Sequence, residues 1–401
     1  MENPRKINSN NEYIVSMSGK QYFLNEDAYI LFNLINKSKE EINKFLIDNN
    51  MSKDSFIKAV KSFDAQLMDG AYADTDEINF DYPVAFQWKI TDICNLSCKH
   101  CYIGDKKKLN TLNNSLIKII LDKIIKIKPI YVLITGGECL TVDCIDEIIK
   151  AFSENHIKTR LFTNGVLLDR HIDVLKTFAK NIRVNVSLDG DEVQHDYIRG
   201  TGNFGKTLNN IKLSVENGLM VSINTVINKK NYMSFYDMCM KLYKIGVYSI
   251  QFSYLIMDGN AVANSKELSM TKYDYERFNL ELKKLYKFFS ENKIKTLLFY
   301  AQDTYKGERH VNYISSNESM IDTWCCTAGR SRITIGSNGD VYPCAHLKNS
   351  FCMGNMINDD IEMLWNNKNR QKFLEFIDKN GKGDYICPVL KNKLNMGNEY
   401  E

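Results

Sequence analysis

Thr91-Asp92-Ile93-Cys94-Asn95-Leu96-Ser97-Cys98-Lys99-His100-Cys101-Tyr102 is the stretch that decides how this chain is read, with its cysteines in C-x3-C-x2-C spacing. Three thiolates hold three irons of a [4Fe–4S] cube and leave the fourth iron without a protein ligand, whereas clusters that only carry electrons are closed by four cysteines. An open iron can bind a small molecule and pass an electron into it. The plain alternative is zinc, which usually takes two cysteine pairs, or a cysteine pair with a histidine pair. Here His100 lies between two of the cysteines, and no second pair follows at finger spacing. A structural disulfide is not expected, because no apolar signal segment points to an oxidising compartment.

The bulk properties frame that loop. A length of 401 residues predicts two or three domains. Hydrophobic content of 44% and charged content of 25% are those of a folded soluble protein. The formal net charge of +3 is too small to argue for nucleic acid. No apolar run approaches the ~18 residues needed to cross a bilayer, so a membrane is not expected either. Eleven cysteines point to metal or redox chemistry in a reducing cytoplasm; three sit in the 94–101 loop and five between 325 and 387.

Outward from the loop, residues 85–300 alternate strand-like and helix-like patterns. Apolar runs fall at 86–90, 130–134, 158–162, 182–188, 221–227 and 249–254, with amphipathic stretches at 115–127, 143–152, 167–179, 206–216 and 235–245. Such alternation gives right-handed crossovers and a parallel sheet. Six strands predict an α/β barrel or partial barrel, with the active site at the C-terminal strand ends. The cysteine loop follows the first strand. The next three strands end in Thr135-Gly136-Gly137-Glu138, Phe162-Thr163-Asn164-Gly165 and Ser187-Leu188-Asp189-Gly190. Each alone is a common turn signal. Four in register converge on one mouth. Residues 1–80 read as a hairpin, 12–15 and 21–24, followed by helices starting near 25, 39 and 52, a winged-helix-like domain without the basic face that DNA demands. The tail, 301–401, loses the alternation and becomes turn-rich and cysteine-rich, a composition that usually needs a metal or disulfide to hold it.

Cys94, Cys98, Cys101 and Tyr102, with Gly136-Gly137-Glu138, Thr163-Asn164-Gly165 and Ser187-Leu188-Asp189-Gly190, resemble the radical S-adenosylmethionine (SAM) superfamily over residues 85–255. The resemblance implies a partial (β/α)6 barrel. It implies that the three cysteines bind the cube as metal ligands and that the Gly-Gly-Glu run meets the amino group of the SAM methionine moiety. Ser187 is expected at the ribose and Arg199 at the cofactor carboxylate, with Tyr102 and Asn164 lining the same site. Cys139, where proline is common, counts as a packing difference.

The tail resembles the SPASM domain through Cys326-Thr327-Ala328-Gly329, Gly339-Asp340-Val341-Tyr342-Pro343-Cys344, Met353-Gly354-Asn355-Met356 and Leu364-Trp365. Cys387 is followed by no further cysteine. This matches the shortened twitch form, with one auxiliary Fe–S cluster, [4Fe–4S] or [2Fe–2S]. Cys326, Cys344 and Cys387 are its expected ligands. Cys352 is expected as the fourth, with Cys325 as competitor; an all-cysteine zinc site would use the same residues. The N-terminal unit then resembles the RiPP recognition element, which adds the leader of a ribosomally made, post-translationally modified peptide as a strand to its hairpin.

Together these imply a peptide maturase that reductively cleaves SAM, abstracts hydrogen from a precursor peptide and installs a thioether or carbon–carbon crosslink. Its reductant would be a flavodoxin or ferredoxin. Two alternatives stay open: a formylglycine-generating maturase of the sulfatase-activating type, and a leader-binding or redox scaffold without turnover.

Overall fold

The computed structural model describes residues 81–104, 110–292, 328–347 and 351–381, with parts of 5–57 and of 294–313. The chain divides into two compact units, 1–84 and 85–401.

The first unit holds a three-stranded antiparallel sheet in the order β1-β2-β3, from Arg5–Lys6, Tyr13–Met17 and Lys20–Leu24. The expected hairpin is the β2–β3 pair, and β3 stands at one edge of the sheet. β1 was not foreseen: two residues carry no periodicity. The helix Lys39–Asp48 starts on a capping box, in which Glu41 N–H donates to Ser38 Oγ and Ser38 N–H donates to the Glu41 carboxylate. Residues 29–31 and 53–57 are helical, and the rest of the third expected helix lies outside the described residues.

The second unit is built on one eleven-stranded sheet. Its parallel part runs through β4 (Ala85–Thr91), β5 (Tyr131–Gly136), β6 (Lys158–Thr163), β7 (Ile182–Ser187), β8 (Met220–Ile227), β9 (Ser249–Tyr254) and β10 (Leu297–Ala301). β11 (Val311–Tyr313) pairs antiparallel with β10. The six strands expected from 85–300 are present in this partial-barrel order. β10 and β11 extend the sheet at one side.

Helices cross between the strands because their apolar positions repeat at the helical period. Helix Asn114–Ile127, capped when Asn113 Oδ1 accepts from Leu116 N–H, buries Ile117, Ile120, Leu121 and Ile124 on one stripe. Each such burial contributes about 1.5–3 kcal/mol. The strand positions facing the helices, Phe86, Trp88, Ile90, Val132, Ile134, Leu161, Val184 and Val186 among them, form the buried core. The alternate positions, including Gln87, Lys89, Arg160, Arg183 and Asn185, are polar and partly exposed. Among the described residues the sheet's inner face thus carries many polar positions, where a closed barrel packs layers of branched apolar side chains. Two further helices, Glu192–Arg199 and Lys272–Glu291, were not read from the sequence.

The tail joins the same sheet. β12 (Arg332–Ile335) pairs in parallel with β4, Arg332 opposite Ala85 and Ile335 opposite Trp88. β13 (Asp340–Tyr342) and β14 (Gly354–Asn355) follow antiparallel. Lys123 Nζ donates to the Ile357 and Asp359 carbonyls, 3.0 Å each. Helices Ile361–Trp365 and Lys368–Gly381 close the described tail. Hydrogen bonding thus runs through the expected boundary at 300/301.

Candidate active site at the strand ends

The cysteine loop leaves β4 and is lashed to its neighbours by backbone. Gly137 N–H donates to Thr91 O (2.7 Å) and Glu138 N–H to Ile93 O (2.8 Å). A Cβ on Gly136 would lie 2.4 Å from Thr91 O, and one on Gly137 would lie 2.3 Å from Ile93 O. Only glycine lets the second strand end press against the loop this closely.

On the far side, the loop after β9 clasps the cysteines. Asn260 N–H donates to Cys101 O (2.8 Å) and Asn260 Nδ2 to Cys98 O (3.0 Å), while Asn264 Nδ2 donates to Lys99 O (3.1 Å). Gly259, at φ +55°, leaves no room for a Cβ against Cys101 O. These residues were missed in the sequence; Asp258-Gly259-Asn260, a turn signal ending the sixth strand, was the sign available.

Glu138 is fully buried. Its Oε1 accepts from Thr163 Oγ1 (2.7 Å) and Leu140 N–H (3.1 Å), and its Oε2 accepts from Asn164 N–H (2.7 Å). Burial raises its carboxyl above the ordinary range, against those three bonds. Asn164 in turn donates through Nδ2 to Asn95 Oδ1 (2.7 Å), with Cys94 Sγ 4.0 Å away. Glu138 thus joins the second strand end to the third, and the third to the loop. One lone-pair site on Oε2 stays open in this count.

Behind Cys98 lies a buried charge network. Arg199 Nε donates to Asp189 Oδ2 (2.6 Å); His100 Nε2 lies 3.0 Å from the same oxygen; Arg199 Nη1 lies 4.0 Å from Cys98 Sγ. Val226 N–H donates to Asp189 Oδ1 (2.8 Å). Burial alone would raise the Asp189 carboxyl; Arg199 and His100 overcome it and hold it well below the usual carboxylate range. Burial, with the charge of Arg199, lowers His195 to about 4, and its Nδ1 accepts from Asp189 N–H. Burial pushes the Cys98 thiol up to about 11, opposed by Arg199; Cys94 and Cys101 act on it in the same sense as burial.

Cys94, Cys98 and Cys101 are not in disulfides. Among the described residues no three metal-ligating side chains converge on a single ion. A cube takes one thiolate per iron, so its ligands are spread more widely than those of one zinc. Buried His100 Nδ1 has no hydrogen-bond partner and is a further polar atom available to a bound group. The donor set fits a cube held by three thiolates.

Ser187 ends β7 on the inner face, opposite Asn224. Tyr102, following Cys101, makes an edge contact with His346 of the tail at 6.4 Å between ring centroids. At the loop's start, Asp92 Oδ2 accepts from Ser337 Oγ (2.8 Å), also of the tail. Cys344 is buried beside Ala328, Phe373 and Ile377, and Cys352 is half-buried. Cys325, Cys326 and Cys387 lie outside the described residues. Among the described residues no helix is long and apolar enough to cross a membrane.

Comparison with known proteins accords with this geometry. The Radical SAM superfamily profile matches residues 88–241, and SPASM, an iron-sulfur cluster-binding domain, matches 325–398. The antilisterial bacteriocin subtilosin biosynthesis protein AlbA of Bacillus subtilis is 28% identical over 291 residues, 72% of this chain. That match spans 60% of AlbA's own length, less than two thirds. An AdoMet-dependent heme synthase of Methanosarcina barkeri is 28% identical over 298 residues, 71% of this chain and 82% of its own. In fold, the chain is similar to Streptococcus suis SuiB bound to S-adenosylmethionine, with TM-score 0.66 at 18% identity over 96% of this chain and 94% of SuiB. Residues 88–241 are thus a radical SAM domain, followed at 325–398 by a SPASM domain.

Proposed function

We propose that this chain is a radical SAM peptide maturase that abstracts hydrogen from a ribosomally made precursor and installs a thioether or carbon–carbon crosslink. The observation that carries the reading is the Cys94–Cys101 loop, clamped by Gly136-Gly137-Glu138 on one side and by Asn260 on the other, at the strand ends of a sheet with polar inner positions. Cys94, Cys98 and Cys101 would hold a cube, which would supply the electron for reductive cleavage of SAM.

The chain's residues bind and orient. The Gly136-Gly137 backbone and the open site on Glu138 receive the methionine ammonium, and Ser187 the ribose. Arg199, with guanidinium donors beyond those directed at Asp189, meets the carboxylate. Tyr102 and Asn164 border the same mouth. Cys326, Cys344, Cys352 and Cys387 hold one auxiliary cluster. The β3 edge of the first unit takes the precursor's leader as an added strand. A flavodoxin or ferredoxin supplies electrons in the cytoplasm. SuiB has been solved bound to its precursor peptide SuiA, and AlbA serves bacteriocin biosynthesis, which supports a peptide substrate. The heme synthase similarity favours one second reading, a tetrapyrrole substrate.

Anaerobic, dithionite-reduced protein should form 5′-deoxyadenosine from SAM, and Cys98→Ala should form none above background. Turnover by Cys98→Ala would remove the loop from the mechanism. A peptide product lighter by two hydrogens separates the maturase from the tetrapyrrole reading.

A further inference from the structure

Two strands of the parallel sheet that do not pair are joined at their C-terminal ends. In the sheet, β4 is separated from β9 by β5, β6, β7 and β8. The loops that leave the two strands nevertheless meet. Asn260 donates through N–H to Cys101 O (2.8 Å) and through Nδ2 to Cys98 O (3.0 Å), so one residue holds two of the three loop cysteines at once. Cys98 O also accepts from Cys101 N–H (3.3 Å), which occupies both of its lone pairs. Asn264 lies four residues on, on the same side of the helical turn, and its Nδ2 donates to Lys99 O (3.1 Å).

The turn that presents Asn260 is itself fixed. Gly259, at φ +55°, comes so close to Gly104 that a Cβ would lie 2.7 Å from Gly104 Cα. Asn260 O accepts from Asn264 N–H (3.0 Å) and from Asn264 Nδ2 (2.9 Å). Leu255, Ala261 and Leu268 form a small buried apolar cluster against Val226 of β8, which anchors the turn to the neighbouring strand. A donor supported in this way holds its acceptors in one geometry.

We propose that Asn260 is a positioning residue for the cysteine loop: a latch across the strand ends that sets where Cys98 and Cys101 stand relative to each other. The inference rests on the reading that Cys94, Cys98 and Cys101 bind a cube. Residues that orient metal ligands from behind govern affinity and activity without touching the metal. Asn260 acts here through the backbone of its two cysteines, and the loop after the sixth strand becomes part of the cofactor site.

The full-length protein is reconstituted anaerobically with iron and sulfide and reduced with dithionite, and its electron paramagnetic resonance spectrum is recorded with and without SAM. The change that SAM makes reports on the cysteine loop and not on a cluster in the tail. Asn260→Leu should weaken or abolish that change, and should slow 5′-deoxyadenosine formation at limiting SAM on the order of tenfold to a hundredfold. Asn217→Leu gives up a bond of the same kind elsewhere, Nδ2 to Leu213 O at 2.8 Å, and should match the parent in both readouts. Asn260→Asp keeps the side-chain shape without the donor; it should show the same losses, and it decides the matter where Asn260→Leu does not fold. A parent-like spectral response and rate in the folded Asn260 variant overturn the proposal. No response to SAM in the unaltered protein overturns the cube reading, and this proposal with it.

Discussion

Replacing Arg199 by methionine removes the cation from a carboxylate that has nowhere to go. Asp189 is 0% exposed and Arg199 8%. Methionine keeps most of the side-chain volume, so the loss is one of charge. Breaking a buried pair from one side costs about 3–5 kcal/mol, because the other charge is left in a medium that solvates it poorly. Val226 N–H and His100 remain near the carboxylate and hold the effect toward the lower end. In a unit of this size the cost corresponds to a thermal midpoint lower by roughly 4–8 °C. The pH dependence has a definite sign. In the parent the Asp189 pKa is depressed, so the pair's contribution is present above the ordinary carboxylate pKa and fades as acid approaches the folded value. Without Arg199, burial dominates, the carboxyl pKa rises, and protonation relieves the variant. The gap between parent and variant should narrow below about pH 4. Asp189→Asn/Arg199→Met, which leaves no orphaned charge, should recover part of the loss. Anaerobic thermal denaturation followed by circular dichroism across pH measures all of this. A single-variant loss under about 1 kcal/mol, or a gap that widens in acid, would refute the account of this network.

Gly137→Ala should cut iron and sulfide bound after reconstitution and cost about 1–3 kcal/mol, because its Cβ meets the Ile93 and Asp92 carbonyls rather than a movable side chain; unchanged iron would mean that the clamp is not needed. The Cys94→Ala/Cys98→Ala/Cys101→Ala protein should still bind iron and sulfide in its tail, and zinc without sulfide would give that site to a structural ion. Deleting residues 1–84 should weaken precursor binding in an anisotropy titration and spare 5′-deoxyadenosine formation; equal affinity with and without the unit would end its recognition role.

The strands of the partial barrel were legible because their apolar runs are long, regular and interrupted by amphipathic stretches; Ser249–Tyr254 and Phe235–Ile245 match the sequence reading residue for residue. The glycines of the second strand end were legible as a close approach, though what they approach, the carbonyls of Thr91 and Ile93, needed three dimensions. Glu138 was read as a ligand for an ammonium. Its main visible partners are Thr163, Asn164 and Leu140, because pairing across strands leaves no mark in a linear sequence. Asp189 was noticed only as half of a turn. Its pairing with Arg199, ten residues on and across a helix, depends on a fold that had first to be built. β12 was missed for a related reason: Arg332-Ile333-Thr334-Ile335 is short, and its partner β4 lies far back in the chain.

That last pairing bears on how the enzyme can be cut. With β12 in place, the first barrel strand is an interior strand. Removing the tail would bare the backbone donors and acceptors that β4 turns toward β12 between Ala85 and Trp88, beside the apolar Phe86 and Trp88. An unpaired apolar edge of this kind is a template for pairing with other chains. A fragment ending near residue 300 would therefore be expected to aggregate rather than serve as a minimal catalyst. The tail has a mechanical part distinct from any cluster it holds: it closes the side of the sheet nearest the cysteine loop.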